Sequence, residues 1–474
     1  MLRLNNQSAQ SIDARVDQAD YDRSQPPKVI HLGVGAFHRA HQADYFDRLN
    51  SQLDSPWLII GASLRNPRAA EQLNPQNGLF LHVARAAKGE TTRINRAITR
   101  VINAYEVPSE LASAIASPDV QLITLTITEK GYCLDSLQQA LDTGDDDVIA
   151  DCQDLSEPRT AIGHLIAGLK ARHGAGAGPV TILSCDNLSH NGDCTKRAVL
   201  AIAEHHSTDL RRWIEENVTF PNAVVDRIAP AVTDEDYLHA QAILGLSDRG
   251  LAITEQFSQW VIEDNFAAAR PPLERVGVTW VNQASAWEKR KLRLLNAAHS
   301  ALAYIAGGAG ELFVHSAIVK SEYRELVAAL WSEVALTLDG PDDFDRETYC
   351  TALIERFSNP HLNHYLQQIA LDGSQKLPPR ILAPLRERLA QGIESPTLTA
   401  VVAAWCRWLS RNACTADATL KDPLLGPFSD AWIQGDSHSA LVDTIIHVYP
   451  PLGELIAEYP VWGVTLQEAV GRHQ

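Results

Sequence analysis

The sequence predicts an α/β chain with a doubly wound sheet over residues 1–282 and a mostly α-helical region over residues 283–474. Three observations predict it. Up to about residue 282, short apolar β-branched runs alternate with amphipathic helical stretches, the order that builds a sheet with helices on its faces. The first of those runs ends in a glycine turn that leads straight into a helix pattern. From Ser285 onward the spacing becomes helical and strand runs become few. A chain of 474 residues supports two or three domains, each with its own core. The boundary near residue 283 is drawn by the change of period rather than by a linker.

In chain order, KVIHLGVG (28–35) reads as a strand running into Gly33 and Gly35, and AFHRAHQADYFDRL as the helix after it. Glycines there let a backbone approach a pyrophosphate. Position 38 holds His where the usual fingerprint has its third glycine. His38, Arg39 and His41 favour contact with an anion, or else cap and solvate the helix. A second strand, WLIIGASLR (57–65), follows at the βαβ distance. An acidic residue at its end would hold an adenine ribose diol. Arg65, Asn66 and Arg68 stand there instead, and arginines tolerate a 2′-phosphate. VQLITLTIT (120–128) and PVTILSC (179–185) are further strands with polar tails, TEKGYC and DNLSHNG. Ligands of open α/β sheets bind at strand carboxyl ends, so a site is expected at those tails. Asn187 can donate to a reacting oxygen there or close an Asx turn. AIGHLIAGLKARH and KRAVLAIAEHH read as the intervening helices. NAVVDRIAP and AITEQF are two more strand runs; Asp226, in the first, is either paired with Arg227 or used in a site.

The helical half contains SALAYIAG, YRELVAALWSEVAL, TYCTALIERF, PHLNHYLQQIAL, RILAPLRERLAQG and PTLTAVVAAWCRWLS, broken at LDGPDD and LDGSQKLPP. Its most informative stretch is EKRKLRLLNAAHSALAY (288–304). On a regular helix Asn296 lies about 140° and His299 about 80° round from Lys291. A lysine, an amide and an imidazole then share one arc, able to move a proton, polarise an oxygen and orient a hydroxyl. The competing reading is a solvated face with a core histidine. Lys376 and Arg380, in a loop, supply positive charge for a ligand or for solvent.

Net charge is −17, from 41 basic and 58 acidic residues, which disfavours nucleic acid or an anionic membrane as partner. The polar N-terminal stretch has no secretory pattern and no apolar run reaches membrane length, so a cytoplasmic protein is expected. Seven scattered cysteines point to free thiols. Cys185, His190 and Cys194 are the one candidate metal grouping, and their spacing matches no standard zinc site. No metal is expected.

Taken together, GVGAFHRAHQADYFD, TITEKGYC, SCDNLSHNGD, VVDRIAP, QWVIEDNF and Lys291-x4-Asn296-x2-His299 resemble the polyol-specific long-chain dehydrogenase/reductase family, from about residue 29 to residue 440. The resemblance implies a Rossmann-type N-terminal domain, a helical C-terminal domain, and zinc-independent hydride transfer with NAD, NADP also being open. It implies Lys291 as general acid/base, Asn187 and Asn296 on the reacting oxygen, and His299 as a catalytic-site histidine orienting the substrate. Asp226 and Lys376 become substrate contacts, and Gly33, Gly35 and Phe37 the cofactor turn. WIEENVTFP, IERFSNP and IALDGSQKLPPR resemble the fructuronate reductase (mannonate oxidoreductase) branch. That branch implies a D-mannonate/D-fructuronate substrate; a carboxylate there needs a cation, and Arg380 or Lys376 is the candidate. The mannitol-type pattern has arginine where Gln368 stands and acids where Pro67 and Arg68 stand. A neutral polyol or ketose (mannitol 2-dehydrogenase or arabinitol type) is the alternative substrate. A sugar- or nucleotide-binding regulator on the same fold is the non-enzyme alternative. The expected assembly is a monomer or homodimer.

Overall fold

The computed structural model describes residues 2–135, 140–338, 344–413, 421–432 and 438–472; Cys414 lies outside them. The chain divides into two compact units, Met1–Ser285 and Ala286–Gln474.

In the first unit six strands form a parallel sheet: β1 (Val29–Leu32), β2 (Ile59–Ser63), β3 (Ile98–Asn103), β4 (Leu122–Leu125), β5 (Val180–Ser184) and β6 (Val218–Thr219). Their spatial order is β3-β2-β1-β4-β5-β6, with every neighbouring pair parallel. This is the Rossmann-type order, and it reverses between β1 and β4. Every residue of β1, β2, β4 and β5 is buried, as a parallel sheet covered on both faces demands. The helix Ala161–Ala175 shows how the connections are fixed. Thr160 accepts a hydrogen bond from the Gly163 N–H at its start, and Gly176 leaves it with φ +63°.

The sheet ends at Thr219, earlier than the alternating pattern implies. The runs at 223 and 252 belong to two other sheets. Ala223–Asp226 pairs antiparallel with Gln259–Glu263, which pairs in parallel with Thr279–Val281. Ala252–Glu255 joins the hairpin Phe80–Arg85/Glu90–Asn95, with Asp17–Gln18 on its far edge. Pattern identifies a strand but not its partner, because pairing is decided by contacts distant in sequence.

The second unit is helical around one apolar core, to which Pro396–Asn412 contributes Val401, Val402, Trp405, Cys406 and Leu409. Among the described residues four helices follow the expected ones: Leu425–Ala431, His438–Val448, Pro450–Glu458 and Pro460–Gly471. The expected helix from Pro360 begins only at Leu366, leaving residues 358–365 as a loop. The stretch from Ser285 is not a uniform α-helix. It runs α (Ser285–Arg290), π (Lys291–Asn296), α (Ala297–Ala301) and π (Leu302–Ala306). A third π turn, Pro378–Leu382, carries Arg380. Among the described residues no helix is long and apolar enough to cross a membrane.

Candidate functional site

In the first unit the polar groups gather at the carboxyl ends of the strands. Gly33 has φ +92°, and a Cβ there would sit 2.1 Å from the Thr126 carbonyl oxygen, so the turn admits no side chain. At Gly35 the nearest atom to a built Cβ is 3.8 Å away, which leaves the second glycine open. Beneath the turn, His31 reaches Thr124 Oγ1 (2.7 Å) and Thr126 Oγ1 (2.9 Å), bracing β1 against β4. His38 stacks on His31 with ring centroids 3.4 Å apart. Burial drives His31 and His41 down to about 3 and His38 well below its ordinary value. The two histidines expected to meet an anion are therefore fully buried and neutral. Only Arg39 of that trio carries charge. Phe37 lies half-buried against His41, rings 5.2 Å apart.

Replacing Gly33 by alanine is expected to destabilise the first unit. The positive φ alone costs about 1–2 kcal/mol in a residue with a Cβ, and the contact with Thr126 adds to it. Thermal denaturation checks this; an unchanged melting temperature would contradict it.

Arg65 is exposed two residues beyond β2, with Arg68 also exposed at the start of the next helix. The buried Ser63 Oγ and Asn103 Oδ1, at the ends of β2 and β3, have no hydrogen-bond partner among the described residues. An open glycine turn at the strand-order reversal, with orphaned polar atoms on the same edge, fits a dinucleotide.

Asn187 follows β5 and is exposed. Its position is set by a neighbour the sequence reading passed over. The Asp186 carboxylate accepts from Ile127 N (2.8 Å), Thr128 N (3.0 Å) and the Tyr132 hydroxyl (2.7 Å). It thereby ties the β5 tail to the β4 tail. Thr128, at φ +65° and ψ +162°, is held in backbone that non-glycine residues avoid. Asp226 is buried at the end of its strand. Arg227 ion-pairs with Asp44 (2.9 Å) and donates to the Ala40 carbonyl (2.8 Å). Cys185 is buried with its Sγ near Leu183 O, whereas the His190 side chain is 61% exposed. No group of three His, Cys, Asp or Glu poised for a metal occurs among the described residues.

In the second unit Lys291, Asn296 and His299 are 8%, 4% and 7% exposed, so theirs is not a solvated face. Neither is that of Arg293, which donates to Glu387 (2.7 Å) and to Thr337 O (2.6 Å). The π turn changes the predicted angles. The N–H of Ala297 bonds five residues back to Leu292 O, which widens the turn beyond that of a regular α-helix. Asn296 thus lies nearer the bearing of Lys291 than the about 140° of a regular helix. The buried Trp331 indole donates to Leu294 O (2.8 Å) inside this turn. His299 packs between Phe357 (4.6 Å) and His364 (4.9 Å), and burial first, then nearby bases, push its pKa well down. Arg380, buried on its own π turn, lies 3.4 Å from Ser300 Oγ. The Lys376 ammonium donates to Leu371 O (2.6 Å) and Ile369 O (3.4 Å).

Residues 27–275 match the family described as the mannitol dehydrogenase Rossmann domain, and residues 283–454 the mannitol dehydrogenase C-terminal domain. The chain is 39% identical to the D-mannonate oxidoreductase of Escherichia coli (strain K12) over 407 residues, covering 85% of this chain and 84% of that one. It is 37% identical to the mannitol 2-dehydrogenase of Pyrenophora tritici-repentis (strain Pt-1C-BFP) over 417 residues, 86% of this chain and 73% of the relative. Among solved structures, the Pseudomonas fluorescens mannitol 2-dehydrogenase ternary complex with NAD and D-mannitol matches with a TM-score of 0.88. It is 30% identical, over 99% of this chain and 96% of that one.

Proposed function

The chain belongs to the mannitol dehydrogenase family of oxidoreductases, and from that premise we propose that it interconverts the secondary alcohol and ketone of a sugar acid, D-mannonate and D-fructuronate, with NAD. The observation that carries this reading is the buried basic group around His299, with Arg380 beside Ser300. A carboxylate leaving water needs cations and hydrogen-bond donors of that kind. The likeness to a D-mannonate oxidoreductase and the glutamine at position 368 support the same choice. A neutral polyol is the second reading, favoured by the likeness to mannitol 2-dehydrogenases.

Gly33, Gly35 and Phe37 are assigned to hold the dinucleotide, and Arg65 to its adenosine ribose. NAD is supported by the NAD complex of the matched structure, and the basic turn at Arg65 and Arg68 admits NADP as well. When bound, the cofactor accepts or supplies the hydride. The rest of the chemistry belongs to this chain. In oxidation the Lys291 amine, in its neutral form, takes the hydroxyl proton; in reduction its ammonium returns a proton to the carbonyl oxygen. The amides of Asn187 and Asn296 donate to that oxygen and bind it most tightly as it gains negative charge. His299 and Asp226 orient substrate hydroxyls, while Arg380 and Lys376 supply positive charge for the carboxylate. Removing a proton from the alcohol makes oxidation faster as pH rises, and reduction the reverse.

The test is purified protein with NADH or NADPH against fructuronate, tagaturonate, fructose and xylulose. Turnover with NADH and fructuronate ahead of the neutral ketoses is expected. A preference for fructose would establish the neutral reading instead. Binding of NADH without turnover of any of the four would favour a sugar- or nucleotide-binding regulator.

A further inference from the structure

In the first unit the helix that leaves the glycine turn, Ala36–Ala40, breaks at His41 before Gln42–Asn50 begins. His41 has φ −126° and ψ −82°, outside the helical region. So short a helix has little stability of its own, and whatever pins the break decides where the turn sits. Two tethers pin it, and both come from the strand pair that carries Asp226. His41 Nε2 donates to the Gln259 carbonyl (3.0 Å), and Gln259 stands opposite Asp226 in the antiparallel pair. Burial keeps that ring neutral, so its Nδ1 accepts from the Gln42 amide (3.0 Å). On the other side Arg227, next to Asp226 in sequence, donates to the Ala40 carbonyl (2.8 Å) and the Asp44 carboxylate (2.9 Å).

Each tether is itself held. Arg227 Nε donates to Glu255 O (3.3 Å), on the strand beside Phe80–Arg85. Asp44 has His82 Nδ1 at 3.3 Å and Arg48 Nε at 3.4 Å. The Arg227 and Asp44 side chains are only 4% and 7% exposed. Apolar contacts would join these elements at a lower desolvation cost; a buried ion pair and carbonyl bonds fix distance and angle instead. On the cofactor side the Phe37 ring stacks on His41, centroids 5.2 Å and planes 14° apart. A run of direct contacts thus joins Phe37, in the turn assigned to the dinucleotide, to the strand pair that ends at Asp226.

We propose that Arg227, Asp44 and His41 are positioning residues that set Asp226, and through it a substrate hydroxyl, relative to the glycine turn. This rests on the roles proposed above for Asp226 and for the turn. The test is a double-mutant cycle with NADH and whichever of fructuronate, tagaturonate, fructose and xylulose the wild type turns over fastest. Arg227→Lys, which keeps the charge but not the guanidinium fork, is combined with Asp226→Ala. Alone, Arg227→Lys is expected to lower kcat/KM for the sugar by roughly tenfold or more. NADH affinity, read by fluorescence titration, should change far less. In the Asp226→Ala background the same substitution should cost little more, because its effect passes through a side chain already removed. His41→Gln, whose amide nitrogen can replace the Nε2 donor, should keep more activity than His41→Leu. Should Arg227→Lys not fold, the isosteric Asp44→Asn carries the same cycle. Equal fold-losses in both backgrounds, with Asp226→Ala itself impaired, would overturn the proposal and leave the role of Asp226 standing. An Asp226→Ala protein with wild-type kinetics would refute that role, and the positioning claim with it.

Discussion

Lys291→Ala is expected to lose about 10²–10⁴ of turnover in either direction, the usual contribution of a positioned acid or base. Dinucleotide binding should survive, because the glycine turn belongs to a strand pair braced by His31, Thr124 and Thr126. Lys291→Arg separates charge from proton transfer. A guanidinium keeps the positive charge but does not release its proton, so it should be nearly as inactive as alanine. Lys291 is buried on a π turn, and its neighbour Arg293 is committed to Glu387 and Thr337. Stopped-flow and steady-state rates with NADH and a ketose check this. An arginine variant with more than a tenth of wild-type turnover would show that charge alone suffices.

The second large effect concerns the amides. Asn296→Ala and Asn187→Ala are each expected to reduce kcat by about 10²–10³, or roughly 2.7–4 kcal/mol of barrier, with smaller changes in KM. Donors that tighten only as charge develops act on kcat, whereas donors that bind the ground state act on KM. On the proposed assignment both amides serve one oxygen, and the double variant should then lose less than the product of the two single losses. Strict multiplicativity would place the two amides at different atoms. Asp186→Asn adds a control for Asn187. It weakens the clamp on Ile127 N and Thr128 N without touching the amide itself, so a modest kcat loss with intact folding is the outcome to look for.

What could be read in the sequence follows from which forces are local. β1, β2, β4 and β5 are continuous apolar runs because both faces of a parallel strand are buried, and such runs are visible without knowing their partners. The hairpin Phe80–Asn95 escaped notice: its second strand, ETTRIN, carries exposed polar residues and declares itself only when paired. His38 and His41 look like surface cations beside a turn, yet full burial makes them neutral, and burial is a property of the packed fold. The Lys291 stretch shows both sides of this. Its residue types and spacing marked it out, but the widened π turn, which shifts Asn296 toward the bearing of Lys291, leaves no mark on composition. The Trp331 indole bonding into that turn comes from a helix far along the chain. His364 was hidden for a related reason: PHLNHYLQQIAL has helical spacing throughout, while its first half is a loop.

Chemical rescue tests the role of Lys291 most directly. Lys291→Ala protein, saturated with NADH and fructuronate for reduction or with NAD and mannonate for oxidation, is titrated with ethylamine across a pH range that converts the amine from ammonium to free base. The expected result is turnover that rises with ethylammonium concentration in reduction and with free amine in oxidation. A variant that still binds NADH but gains no rate from any amine in either direction would contradict it.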